Sequence, residues 1–272
     1  MAITPTVDLT PARHAGDHRQ GSRVRRIAGM AKANALLLTR NRMTLAYAFI
    51  FPLIPLAWLL VGDRGDTTFG IMSMTNVLLL AALFPVYYNM LSQTVTRRDE
   101  LVLKRFRSGE SSDNDLLASI AIPGIAVMLI VSLLAVAIAP AFGQPLPANP
   151  IVLLVAVLVI ATAFAGLAFW TAAWTRNAEA ARVTSLPILM LAIVGSLRAV
   201  FPESVHPYLE LTPGAAIEAL VRIAWFGQDL DGISLTFAQT FTEAGRPLAV
   251  LVGWLVLAAV LTKRSMRWEP RG

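Results

Sequence analysis

The chain of 272 residues contains no cysteine, which excludes disulfides, thiolate metal sites and thiol nucleophiles. Its three histidines, His14, His18 and His206, all lie outside the long apolar stretches, and neither H-E-x-x-H nor G-x-S-x-G occurs. Intramembrane metalloprotease and serine-hydrolase chemistry therefore lack their residues. Lysine is almost as scarce: Lys32, Lys104 and Lys263 are the only three, and none follows a glycine. A G-x-x-x-x-G-K-[ST] phosphate loop is impossible, so the chain has no ATP site of that kind. Charged residues make up 15% of the chain, against about 25% in an ordinary soluble domain. With 56% hydrophobic residues and a mean hydropathy of +0.63, this excludes a typical soluble enzyme, a disordered tail and a nucleic-acid binder, despite a net charge of +6.

What is present is long uncharged runs. A helix needs about 20 apolar residues to cross the hydrocarbon, and six runs qualify: about 43–61, 67–95, 116–142, 151–175, 183–201 and 247–262. The third and fourth come from a stretch of 60 residues, Leu116 to Thr175, without one charge. The segment Gly143-Gln-Pro-Leu-Pro-Ala-Asn-Pro150 divides it, because three prolines so close together form a turn and not a helix. The sixth run is short, and Arg246 and Lys263 can snorkel from its ends. The predicted fold is an all-α polytopic membrane protein: a disordered leader over 1–22, a single transmembrane domain over 23–263 and a tail over 264–272.

Counting Lys and Arg in alternate loops orients it. The leader through Arg42, the segments 96–115 and 176–182 and the tail together hold 19, while the opposite side holds Arg64, Arg222 and Arg246. By the positive-inside rule both termini are cytoplasmic. The basic balance is thus an orientation signal, and no nucleic-acid partner is expected. The polar leader has no apolar h-region and is not a cleavable signal peptide.

Three segments outside the runs carry further pattern. Residues 23–42 are basic with Val24, Ile27, Met30 or Ala31, Leu37 and Leu38 at roughly helical spacing, which predicts a helix lying at the cytoplasmic interface. In residues 96–109, charges alternate with Leu101, Val102, Leu103 and Phe106, and Glu100 and Lys104 form a favourable i,i+4 pair. This predicts a cytoplasmic helix ended by Gly109, followed by a Ser112–Asp115 capping box. A solvated loop would hold the orientation equally well but has no use for Leu101, Leu103 and Phe106, so a docking protein partner is expected here. In the long segment 202–246, Thr212 to Phe226 reads as a helix with Pro213 in its first turn and an apolar face of Ile217, Leu220, Val221 and Trp225. It is too short to span and is expected as an external or re-entrant helix.

No run contains a carboxylate, so a proton relay through buried Asp or Glu is unavailable, which argues against a proton-driven transporter. Asn89 and Gln93, one turn apart at the cytoplasmic end of the second run, either line a substrate entrance or bond between helices. Arg198, near the external end of the fifth, either snorkels or serves an outer gate with Ile217 and Trp225. Pro52, Pro55, Pro85, Pro123 and Pro187 are expected to kink their helices. No catalytic, metal-binding or cofactor-binding residue is expected.

The layout resembles the permease subunit of type 2 ABC exporters. The residues that carry the likeness are Arg98-Asp-Glu-Leu-Val-Leu-Lys-Arg-Phe-Arg107 with Ser112 to Leu117, then Trp174-Thr-Arg-Asn-Ala-Glu-Ala-Ala-Arg182, Phe201-Pro202, and Leu211-Thr-Pro-Gly through Arg222. The ending Arg267-Trp-Glu-Pro-Arg271 is similar to the F-R-W-E-P-R terminus of actinobacterial members. Family members often have a Ser-Gly pair near the end of the fifth span, where this chain has Gly195-Ser-Leu-Arg198, so its outer gate is expected to differ. The resemblance implies a half-transporter in the bacterial plasma membrane, paired with a second permease (the same chain or a related one) and with two separate ATPase subunits. ATP and Mg would sit on those partners. It implies that 99–107 is the coupling helix, with Asp99, Glu100, Leu101, Lys104, Arg105, Phe106 and Arg107 meeting the ATPase, and that 24–42 is the connecting helix beside it. The apolar spans point to a hydrophobic or amphipathic substrate such as a drug, antibiotic or lipid. A non-transporting membrane scaffold or sensor subunit shares the hydropathy profile, and membrane lipids are partners either way.

Overall fold

Prolines and glycines decide where the helices of this chain change course, and the computed structural model makes each consequence visible. It describes residues 25, 27–36, 42–99, 113–197 and 200–265. Of these, 81% are helical, no strand occurs among them, and four helices are long and apolar enough to cross a membrane. The protein is an all-α membrane protein.

Helix α1 covers 27–36, within the expected interfacial segment. Helix α2 is Arg42–Leu53 and tightens at Pro55 into a 3-10 stretch, Ile54–Leu60. Helix α3 runs unbroken over Thr67–Arg98. Asp66 caps its start, accepting from the Thr68 and Phe69 N–H groups at 2.7 and 3.1 Å. Pro85 cannot donate to the α-helical ladder, and Ala82–Tyr88 around it is π-helical. Helix α4, Asp113–Ile138, continues as a 3-10 turn to Phe142 and carries Pro123 inside it. Helix α5, Pro150–Trp174, starts on Asn149, whose side chain accepts from the Ile151 and Val152 N–H groups. Helix α6, Ala181–Gly195, is interrupted at Ser185 just before Pro187. Helix α7 is Pro213–Ala224, α8 Phe237–Glu243 and α9 Gly245–Ser265.

The four spanning helices match the expected second, third, fourth and sixth runs. The first and fifth are shorter apolar helices, Leu45–Leu60 and Ala181–Gly195, with α6 ending at Gly195 where an extension to Phe201 was expected. The expected separate helix over 96–109 differs at its start: Thr96 to Asp99 prolong α3, and residues 100–112, including Glu100, Leu101, Lys104, Arg105, Phe106, Arg107 and the capping Ser112, lie outside the described residues.

Helix α5 is apolar on every side and sits at the centre, packed against α3, α4, α7 and α9. Helix α7, read from sequence as external or re-entrant, is folded into the bundle among α3, α5, α6 and α9, with Ile217, Leu220 and Val221 fully buried. Close passage is possible because Gly214 and Gly195 lack side chains: a Cβ at Gly214 would strike the Ala192 carbonyl, and one at Gly195 would strike the Thr212 hydroxyl. That contact gives the chain's Gly195-Ser order a packing reason.

The ends of the bundle differ in charge. Asp63, Asp66, Glu203, Glu210, Glu218, Asp229, Asp231 and Glu243 gather at one end with Arg64, Arg222 and Arg246; Glu210 pairs with Arg246 at 2.7 Å and Glu218 with Arg222 at 3.0 Å. Arg25, Lys32, Arg42, Arg97, Arg98, Arg176, Arg182, Lys263 and Arg264 lie at the other, where they outnumber Asp99, Asp113, Asp115 and Glu179. We refer to these as the acidic and basic ends.

Candidate functional site: a cavity at the π-helical turn and an arginine clamp

Helix α3 carries two features on one continuous rod. Midway along, Phe84, Pro85, Tyr88, Asn89 and Ser92 face Tyr47 and Ala48 of α2 across a cavity of about 320 Å³. Phe51 of α2 packs edge-on against Phe84, with ring centroids 4.6 Å apart, and so fixes one of the cavity's aromatic walls. The lining has aromatic faces and a few neutral polar groups and no carboxylate, cation or imidazole. Such a wall can hold an apolar or amphipathic molecule but offers no acid, base or metal ligand. No cluster of His, Cys, Asp and Glu suited to a metal exists among the described residues.

The π-helical turn is held from behind. Tyr87, fully buried, donates its hydroxyl proton to Thr171 Oγ1 of α5 at 3.1 Å. Gly124 of α4 lies against the Pro85 carbonyl, where an added Cβ would stand 2.8 Å away. The irregular turn is therefore wedged between α4 and α5, with the cavity on its open side.

Two turns further, α3 ends in Arg97 and Arg98, and their side chains diverge. Arg98 is buried, and its guanidinium donates to the carbonyls of Ala172, Thr175 and Arg176 at 3.0, 2.6 and 3.0 Å. These carbonyls belong to the C-terminal end of α5, whose last acceptors have no helical donor and whose dipole favours a cation. Arg97 donates to Asn34 Oδ1 of α1 at 2.6 Å, and Asn34 Nδ2 donates in turn to the Ser119 carbonyl of α4 at 2.7 Å. Ser119 is four residues before Pro123, which has no N–H to give it, and the amide of Asn34 takes that place. One arginine pair thereby joins α3 to α1, α4 and α5 at the basic end.

Of the residues singled out from sequence, Asn89 lines the cavity, while Gln93 lies beyond it and accepts from Arg97 at 3.4 Å. Ile217 and Trp225 are buried within the bundle at the acidic end; the Trp225 indole N–H donates to the Pro145 carbonyl at 2.9 Å. They brace α7 against the turn between α4 and α5. Arg198 lies outside the described residues, as do the residues 100–107 expected to meet a partner. Asp99 closes α3. Sequence reasoning missed Tyr47, Ser92, Asn34 and the inward turn of Arg98. Only the orphan carbonyl before Pro123 could have signalled Asn34, and the sequence does not say which side chain meets it.

No protein-family model matches the chain, and no curated protein matches its sequence.

Proposed function

We propose that the chain is the membrane-spanning subunit of an ATP-driven exporter of the type 2 ABC class. In this reading it has six spans, with Leu45–Leu60 as the first and Ala181–Gly195 as the fifth. The basic end and both termini face the cytoplasm of a bacterial cell. Two copies, or this chain and a related one, flank the path, and two separate ATPase subunits bind ATP and Mg. The cargo is hydrophobic or amphipathic, consistent with the aromatic, uncharged cavity.

The observation that supports the reading is that the cavity and the arginine clamp lie along one helix, which leads in sequence directly into the charged segment 99–107. Force applied at 99–107 by a closing ATPase reaches α3 directly. Arg98 and the Asn34–Arg97 pair make α1, α4 and α5 follow it. The least regular part of the rod, the π-helical turn at Pro85, then takes up the strain beside the cavity, and a change in the cavity's shape is coupled to the ATPase cycle.

The test is affinity purification of the tagged full chain from its own cells in mild detergent, followed by mass spectrometry. An ATP-binding-cassette ATPase is expected to co-purify, and Lys104→Glu with Arg105→Glu, or Phe106→Ala, is expected to lower its recovery at least about 10-fold. Equal recovery and unchanged efflux in those variants would reject the assignment.

A further inference from the structure

Toward the basic end, α4, α5 and α9 enclose an apolar groove of about 270 Å³. Small residues open it: Ala118 and Ala121 on α4, Gly166 on α5 and Ala259 on α9, with Leu255 at its deep end and Lys263 at its mouth. The hydroxyls of Thr162 and Thr262 in its walls are already committed to carbonyls of their own helices, at 2.9 Å to Leu158 and 2.7 Å to Ala258. The groove therefore presents mainly hydrocarbon along its length and no free side-chain donor short of Lys263. Along α9, Leu255 to Lys263 is eight residues, roughly 12 Å of helix, which fits within one leaflet of a core about 30 Å thick. At the mouth, Lys263 is exposed, and the next residue, Arg264, is exposed on the helix beside it without lining the groove; neither forms an ion pair among the described residues.

We infer that this groove binds one anionic phospholipid, an acyl chain lying along the small residues and the headgroup phosphate resting on Lys263, with Arg264 adding to the positive field at the same level of the membrane. An apolar channel with a cation at its mouth and a second cation one residue on is complementary to that molecule at both of its ends. The small residues would also admit a neighbouring helix, but a second copy seated there would place its own apolar surface against the two cations. The inference requires only that the protein is a membrane protein; the exporter assignment plays no part in it, and detergent solution offers lipid to the groove whatever the orientation.

The experiment is native mass spectrometry of the purified full chain titrated with dioleoyl phosphatidylglycerol or dioleoyl phosphatidylcholine. The wild-type chain is expected to retain the anionic phosphatidylglycerol about 10-fold better, the order expected when each of two cations contributes near the membrane surface. Lys263→Gln with Arg264→Gln is expected to bring the preference within about 2-fold. Ala259→Phe, which fills the groove from an exposed position, is expected to lower retention of both lipids. A preference unchanged in the double variant would overturn the inference, and because both of its residues are exposed, misfolding of Ala259→Phe would leave that test intact. Efficient disulfide dimerisation of Ala259→Cys, in a chain with no other cysteine, would also overturn it and assign the groove to a second copy.

Discussion

The contact between Asn34 and the Ser119 carbonyl can be tested by giving that carbonyl its helical donor back. Asn34→Ala removes a donor from a buried carbonyl, about 1–3 kcal/mol, and an acceptor from the partly buried Arg97, about 1 kcal/mol more. The single variant should therefore lose roughly 2–4 kcal/mol. With Pro123→Ala in the background, residue 123 supplies an N–H to Ser119, and the cost of Asn34→Ala should fall to the Arg97 portion alone. The double-mutant cycle then shows a coupling of about 1–3 kcal/mol between residues that do not bond to each other. At about 2–4 °C per kcal/mol for a chain of this size, the coupling appears as roughly 2–12 °C in the melting temperatures of the four proteins in one detergent. Additivity within about 0.5 kcal/mol would refute the claim that Asn34 stands in for the missing proline N–H.

Two further outcomes follow from the same helix. Arg98→Met strips charged donors from the end of α5 and is expected to cost about 3–5 kcal/mol, whereas Arg98→Lys, which keeps the charge but loses the fork, should fall between it and wild type; equal melting temperatures for all three would contradict the clamp. Gly124→Leu forces a side chain against the Pro85 carbonyl and should destabilise by about 1–3 kcal/mol, while the same change at Gly253, where nothing lies within 4 Å, should be nearly neutral; the two melting curves measured side by side decide it.

The elements that sequence reasoning placed well are those set by local chemistry. The turn at Gly143–Pro150 follows from its prolines, α5 from unbroken hydropathy, and α7 from a Thr-Pro start and an apolar face. What escaped depends on partners distant in the chain. Arg98 looks like Arg97 and Lys104 in sequence, and only the approach of α5, some 77 residues on, makes it a buried capping group. Asn34 sits in a basic stretch whose charges dominate its appearance, while its partner is 85 residues away. The five prolines were legible as irregularities but not in kind: Pro55 gives a 3-10 stretch, Pro85 a π turn, and Pro123 leaves the helix continuous while freeing a carbonyl. Asn89 and Gln93 looked equivalent because they are one turn apart, yet only Asn89 shares the cavity with Tyr47 and Ala48 of α2, while Gln93 accepts from Arg97.

The central position of α5 has a consequence for biogenesis. Helices α4 and α5 are the two most apolar spans, they are joined by the short turn after Phe142, and no charge interrupts them from Leu116 to Thr175. They can partition into lipid together as a stable hairpin before any other helix is in place. Helix α3 carries Ser73, Thr75, Asn76, Asn89, Gln93 and, at its end, Arg98, and most of it is buried in the finished protein. Although synthesised first, it is the poorer lodger in lipid, and its arginine has no helix end to cap until α5 arrives. The chain order and the order of lipid solubility thus run opposite ways, and the carbonyls at the end of α5 are where α3 is fastened.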